Sequence, residues 1–182
     1  MKHYVVDENP ISHLLFNNTK ASWFWFIVRI YVGYEWLIAG WGKVTSPSWT
    51  GPTAGGALSG FLNGALAKTA SAHPDVQGWY AYFLEHVVLA HAHTWSYFVA
   101  YGELLVGLAL ILGIFTGVAA FFGLFMNLNY LLAGTVSTNP VLFVLGIGLV
   151  MSWKVAGYIG LDRWLLPMLG TPWRPGKAFD KK

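Results

Sequence analysis

Cysteine is absent from the 182 residues. That removes disulfide frameworks, thiolate-ligated metals, iron–sulfur clusters and any mechanism running through a protein thiol or persulfide. Charge is nearly as scarce: Asp, Glu, Lys and Arg make up 10% of the chain, against about 25% in an ordinary globular domain. So few charges cannot cover the surface of a soluble fold. The net charge of +3 is small and gathered near the chain ends, so no nucleic-acid partner is expected. What is present is apolar. Hydrophobic residues are 55% and mean hydropathy is +0.51, which excludes intrinsic disorder. An integral membrane protein follows, with lipid as its solvent.

Four stretches have spanning length, about 20 residues for a helix. They run over residues 21–41, 95–114, 117–134 and 140–161, the last opening at Pro140, a favoured first-turn residue. The expected fold is therefore an all-α, four-transmembrane-helix bundle forming a single domain over residues 1–182. Residues Gly113 to Gly117 predict a tight hairpin between the second and third spans, and Thr135 to Pro140 another between the third and fourth. The loop over 42–94 is long. Within it Leu58, Phe61, Leu62, Ala65 and Leu66 recur at helical spacing, as an interfacial amphipathic helix would. Residues 76–90 carry Trp79, Tyr80, Tyr82 and Phe83, the aromatic content of the headgroup region, and read as interfacial or re-entrant. Met1 to Lys20 is polar and is not expected to be a signal peptide. Seven Lys and Arg residues in the terminal segments face two in the long loop, Lys43 and Lys68. The positive-inside rule then places both termini in the cytoplasm.

Ionisable groups within spans are costly, so Arg29, Glu35 and Glu103 are the first functional candidates. Arg29, Gly33, Trp36, Gly40 and Lys43 fall on one face of the first span. Two cations there suit an anionic ligand, and two glycines permit close helix approach. The plainer alternatives are an Arg29–Glu103 structural tie, a snorkelling Lys43 and a merely packed Trp36. Depths of about 12 Å for Arg29, 15 Å for Asn127 and 18 Å for Glu103, at 1.5 Å per residue, allow one polar cluster. Asn127 and Asn129 are two apart and cannot both face the centre. His86, His91 and His93 lack any ligand-set spacing and read as solvated, so no metal or haem is expected.

Several segments together resemble the DoxX/DoxD family. They are the Arg29-to-Gly33 face closing in Ala39-Gly40-Trp41-Gly42-Lys43, and Gly102-Glu103 through Gly107 running into Leu112-Gly113-Ile114-Phe115-Thr116. The tail Tyr158-Ile159-Gly160-Leu161-Asp162-Arg163-Trp164, followed by Gly170-Thr171-Pro172-Trp173, is similar to the DoxD-like branch. The resemblance implies a multi-pass protein of a prokaryotic cell membrane and a role in sulfur metabolism. The implied activity is that of a thiosulfate:quinone oxidoreductase, with quinone as electron acceptor and a small anionic sulfur compound as donor. It also implies a separate small DoxA-like subunit or other redox-complex partners. On this reading Arg29 and Glu103 are catalytic, with Glu103 the quinone-side proton acceptor. Lys43, Trp36, Trp41 and Asn127 bind substrate, Lys43 forming an anion clamp with Arg29. The competing expectation is a non-catalytic membrane subunit of a larger redox or respiratory complex. A transporter is disfavoured, because no span is broken by paired Gly and Pro and no inverted repeat is evident.

Overall fold

The computed structural model describes residues 8–170 and is all-helical over them. The elements are α1 (Pro10–Asn17), α2 (Ser22–Val44), α3 (Pro47–Thr50), α4 (Gly56–Ala67), α5 (Gly78–Phe83), α6 (Ala92–Leu112), α7 (Thr116–Leu132), α8 (Asn139–Met151), α9 (Trp153–Ala156) and α10 (Asp162–Met168). Four apolar helices, α2, α6, α7 and α8, form the bundle. Helix α2 packs along α6, and α7 packs along α8 and α6. Their shared core includes Val32, Trp36, Val106, Leu110, Ala120 and Leu149.

Helix α2 lays the expected face against α6: Arg29, Gly33, Trp36 and Gly40 are all buried. The closeness of that crossing comes from glycine. A Cβ on Gly40 would collide with the Leu104 backbone, and one on Gly107 with the Leu37 backbone. The α6–α7 hairpin forms as expected. Gly113 takes a left-handed φ of 67°, and Ile114 N–H donates to the Ala109 carbonyl at 2.9 Å, which closes a Schellman motif. Gly134 (φ 71°) ends α7 in the same way, with Thr135 N–H donating to Tyr130 O at 3.0 Å.

Two boundaries differ from the sequence expectation. The fourth apolar stretch was expected to run over 140–161, but α8 ends at Met151, about 20 Å of helix at 1.5 Å per residue. The chain then folds back through α9, and residues 157–162 nest on the α6–α7 turn. Leu161 N–H donates to Leu112 O and Asp162 N–H to Gly113 O. Glycine permits this approach, since a Cβ on Gly160 would press on the Gly113 Cα at 2.9 Å. The second difference lies at residues 76–90. Gly78 to Leu112 is one helical stretch of 35 residues, apolar and long enough to cross a membrane. A π turn at Leu84–Val88 and a 3-10 turn at Leu89–His91 interrupt its hydrogen-bond register, and His91 (φ −126°, ψ 35°) leaves the helical region just before α6. Among the described residues no other helix meets the same test of length and hydropathy, and α7 and α8 are shorter apolar helices.

The long loop builds a second, smaller core. Leu58, Leu62 and Ala65 of α4 pack with Val76, Tyr80, Leu84 and Val88, closing over Ala133 at the end of α7. Helix α4 thus presents its apolar face to protein.

Candidate functional site

Glu103 sits at the middle of α6 with 1% exposure, where an isolated carboxylate would be expensive. Two partners resolve the cost. Lys43 Nζ, from the last turn of α2, lies 2.6 Å from Glu103 Oε2. The Tyr130 hydroxyl, near the end of α7, donates to Glu103 Oε1. Three helices therefore meet at one carboxylate. Lys43 also lies over the Trp49 ring, 5.1 Å from its centroid, and keeps 20% of its side chain exposed. Buried Trp36 stacks on Tyr130 at 6.4 Å, and Phe61 of α4 meets the same ring edge-on at 6.0 Å. The Tyr130 ring is thereby held by α2 and α4 while its hydroxyl is held by α6.

Beside this cluster is a cleft of about 130 Å³ lined by Phe61, Tyr80, Phe83, Trp95, Asn129 and Tyr130 among others. Its size is of the order of cavities that take up a single benzene ring. The Tyr80 hydroxyl donates to the Asn129 backbone carbonyl and side-chain oxygen, each at 3.0 Å. The cleft shares Trp95, Phe125 and Met126 with an open apolar groove of about 610 Å³ between α6 and α7.

Arg29 is not part of this cluster, which corrects the expected Arg29–Glu103 tie. Its guanidinium lies toward the opposite end of α2, donating to Leu110 O at 2.6 Å and to Ile159 O at 2.5 Å. Phe26 sits 5.4 Å beneath it, and its Nε has no partner among the described residues. These carbonyls have capacity for it because α6 ends at Leu112, where Leu110 O takes one long bond from Gly113 N–H at 3.3 Å, and residues 157–161 are non-helical. Asp162, fully buried, completes this second node by accepting from Phe115 N–H at 2.6 Å and Thr116 N–H at 2.8 Å. The Asp162 carboxylate therefore caps the N-terminus of α7 from outside its own helix.

The remaining candidates are dispersed. Asn127 is buried and donates to Asn139 Oδ1 at 3.0 Å, tying α7 to α8, while its own Oδ1 lacks a partner among the described residues. Asn129 faces the loop core, as two-residue spacing requires. Trp41 is 60% exposed on the outer face of α2. Glu35 is half-buried, with no ion pair among the described residues. His86 stacks on Tyr82 at 4.1 Å, His91 is exposed and His93 lies against Tyr97, so the three form no cluster. Among the described residues no group of three His, Asp or Glu side chains is placed to hold a metal ion.

Sequence reasoning missed Tyr130, Tyr80 and Asp162 as polar partners. A signal existed for Tyr130: it lies three residues beyond Asn127, on the same helical face. Nothing in the local sequence marks Asp162 as a cap for a helix that starts 46 residues earlier.

Comparison with known proteins gives one match. The family model described as DoxX fits residues 24–136, a stretch that contains Arg29, Lys43, Glu103 and Tyr130. No curated protein and no solved structure matches the chain.

Proposed function

This chain belongs to the DoxX family, a membrane family, and from that premise we propose that it is a membrane oxidoreductase of the thiosulfate:quinone type. In this reaction two thiosulfate ions give up one electron each and join through a new S–S bond as tetrathionate. The electron pair, with two protons from water, converts quinone to quinol. The observation that supports the reading is the buried Glu103 carboxylate, held between Lys43 and Tyr130 beside an aromatic cleft that opens to an apolar groove.

Each residue then has a task. The Tyr130 hydroxyl is the proton donor at the cleft wall, and Glu103, once protonated, returns a proton to it. Lys43 stabilises the carboxylate between turnovers and, being partly exposed, meets the arriving anion, while Trp41 lies on the outer face of α2. Trp36 and Phe61 hold the Tyr130 ring in position. Arg29 and Asn127 act at a distance by fixing helix ends. The proposal includes four membrane crossings by α2, α6, α7 and α8, with cytoplasmic termini and a small DoxA-like partner subunit.

One observation favours the alternative of a non-catalytic subunit of a redox complex: Lys43, Glu103 and Tyr130 satisfy one another, as a purely structural tie would. Thiosulfate-dependent reduction of a soluble quinone analogue by the purified chain, with and without co-extracted partners, separates the two. Glu103→Gln and Tyr130→Phe are expected to lower kcat by about 100-fold, the loss typical of a positioned proton-transfer group. If the native chain reduces no quinone even with its partners, the scaffold reading stands.

A further inference from the structure

At the end of the bundle away from Glu103 there is a second cavity, of about 550 Å³, lined by Thr19, Lys20, Ser22, Tyr158, Arg163 and the indoles of Trp23 and Trp164. It differs in kind from the apolar cleft and groove. Lys20 and Arg163 contribute two positive charges, and among the described residues no carboxylate lines it. Neither cation has an ion-pair partner among the described residues, and Arg163 rests 5.2 Å from the centroid of the Tyr158 ring. The one acid next in sequence, Asp162, is committed to the α7 amides. Behind the cations the chain enters the 23-residue α2 through a 3-10 turn at Thr19–Ala21, where Asn18 Oδ1 accepts from Lys20 N–H at 2.9 Å and Thr19 O accepts from Ser22 N–H.

We infer that this cavity binds the phosphate group of an anionic phospholipid. The chemistry of recognition is that of any phosphate: two cations and the hydroxyls of Thr19 and Ser22. The rim chooses a lipid as the source. Trp23 and Trp164 are 67% and 62% exposed, the arrangement expected of indoles at headgroup depth. One turn beyond Trp23, Ile27 is 67% exposed and continues the apolar surface along which an acyl chain would lie. A free phosphate would use the cations and leave the indoles and Ile27 without a role. The site is independent of the redox reading above.

The test uses the full chain in mixed micelles of phosphatidylcholine with a minor fraction of phosphatidylglycerol, with retained lipid measured after purification. Wild type is expected to retain phosphatidylglycerol over phosphatidylcholine, with a preference that falls as salt rises. Lys20→Gln or Arg163→Gln should each reduce that preference about fivefold, and the pair about 25-fold, following the usual contribution of one cation near an anionic headgroup. The charge-keeping pair Lys20→Arg with Arg163→Lys should retain it. Equal retention of the two lipids by wild type, or an unchanged preference in the neutral double variant, overturns the inference. So does displacement of phosphatidylglycerol by inorganic phosphate at equal concentration, which would make this a site for a soluble anion. The wild-type comparison stands even if a variant fails to fold.

Discussion

Single side chains settle which charges can exist inside this bundle. Glu103 is tolerable because Lys43 and Tyr130 reach it from two other helices, and removing one partner is costlier than removing the whole group. Lys43→Met is therefore expected to destabilise the chain by about 3 kcal/mol, because it leaves a buried carboxylate with only a hydroxyl partner. Lys43→Met combined with Glu103→Leu should recover most of that loss, since the uncompensated charge is gone. Unfolding in mixed micelles, followed by tryptophan fluorescence, reads both. Equal stability of wild type and Lys43→Met would mean that water already solvates Glu103. Arg29 follows a different rule. Its planar fork spans two carbonyls on separate segments, Leu110 and Ile159, which a lysine ammonium cannot bridge in the same geometry. Arg29→Lys is expected to lose about 2 kcal/mol, the scale of one hydrogen bond from a charged donor. Quinone reduction per folded molecule should be unaffected.

Between elements, the α2–α6 crossing carries the site, because Lys43 reaches Glu103 only if these two backbones approach closely. Gly40 and Gly107 make that approach possible. Gly40→Ala should push the helices apart and destabilise by about 1–3 kcal/mol, as overpacking does in a well-filled core. Gly42→Ala is the internal comparison: it lies on the same helix with nothing within 4 Å of a new Cβ. It should leave the unfolding midpoint unchanged or slightly raised, as an Ala-for-Gly exchange in a helix does. A similar response from the two variants would show that helix propensity governs this crossing and not steric fit.

For the whole molecule, the open question is orientation in the bilayer. The proposed four crossings rest on the four apolar helices and on the seven-to-two asymmetry of Lys and Arg. Five of those seven, Lys2, Arg174, Lys177, Lys181 and Lys182, lie outside the described residues, as does Thr171-Pro172-Trp173 of the family-like tail. Reporter fusions after Lys182 and within residues 51–59 should report cytoplasm and exterior respectively. If only two of α6, α7 and α8 crossed, the two reporters would agree, and that result would overturn the four-span proposal. The 13 residues of α8 make it the span most open to such a test.

Much of this molecule was written in its local chemistry. Apolar runs marked α2, α6, α7 and the start of α8, Gly113 to Gly117 marked the first hairpin and Thr135 to Pro140 the second, and the i, i+4, i+7 spacing put Arg29, Gly33, Trp36 and Gly40 on the inward face of α2. These are short-range consequences of helix period and backbone sterics, so a sequence alone can determine them. Partner choice was decided only in three dimensions. Matched depth made Arg29 and Glu103 a reasonable pair, yet depth is one coordinate, and lateral position depends on how helices rotate and cross. Once Gly40 and Gly107 bring α2 onto α6, Lys43 lies nearer to Glu103 than Arg29 does. Arg29 is left to the Leu110 carbonyl in the last turn of α6 and to that of Ile159, in a chain segment whose return no helical period could have announced.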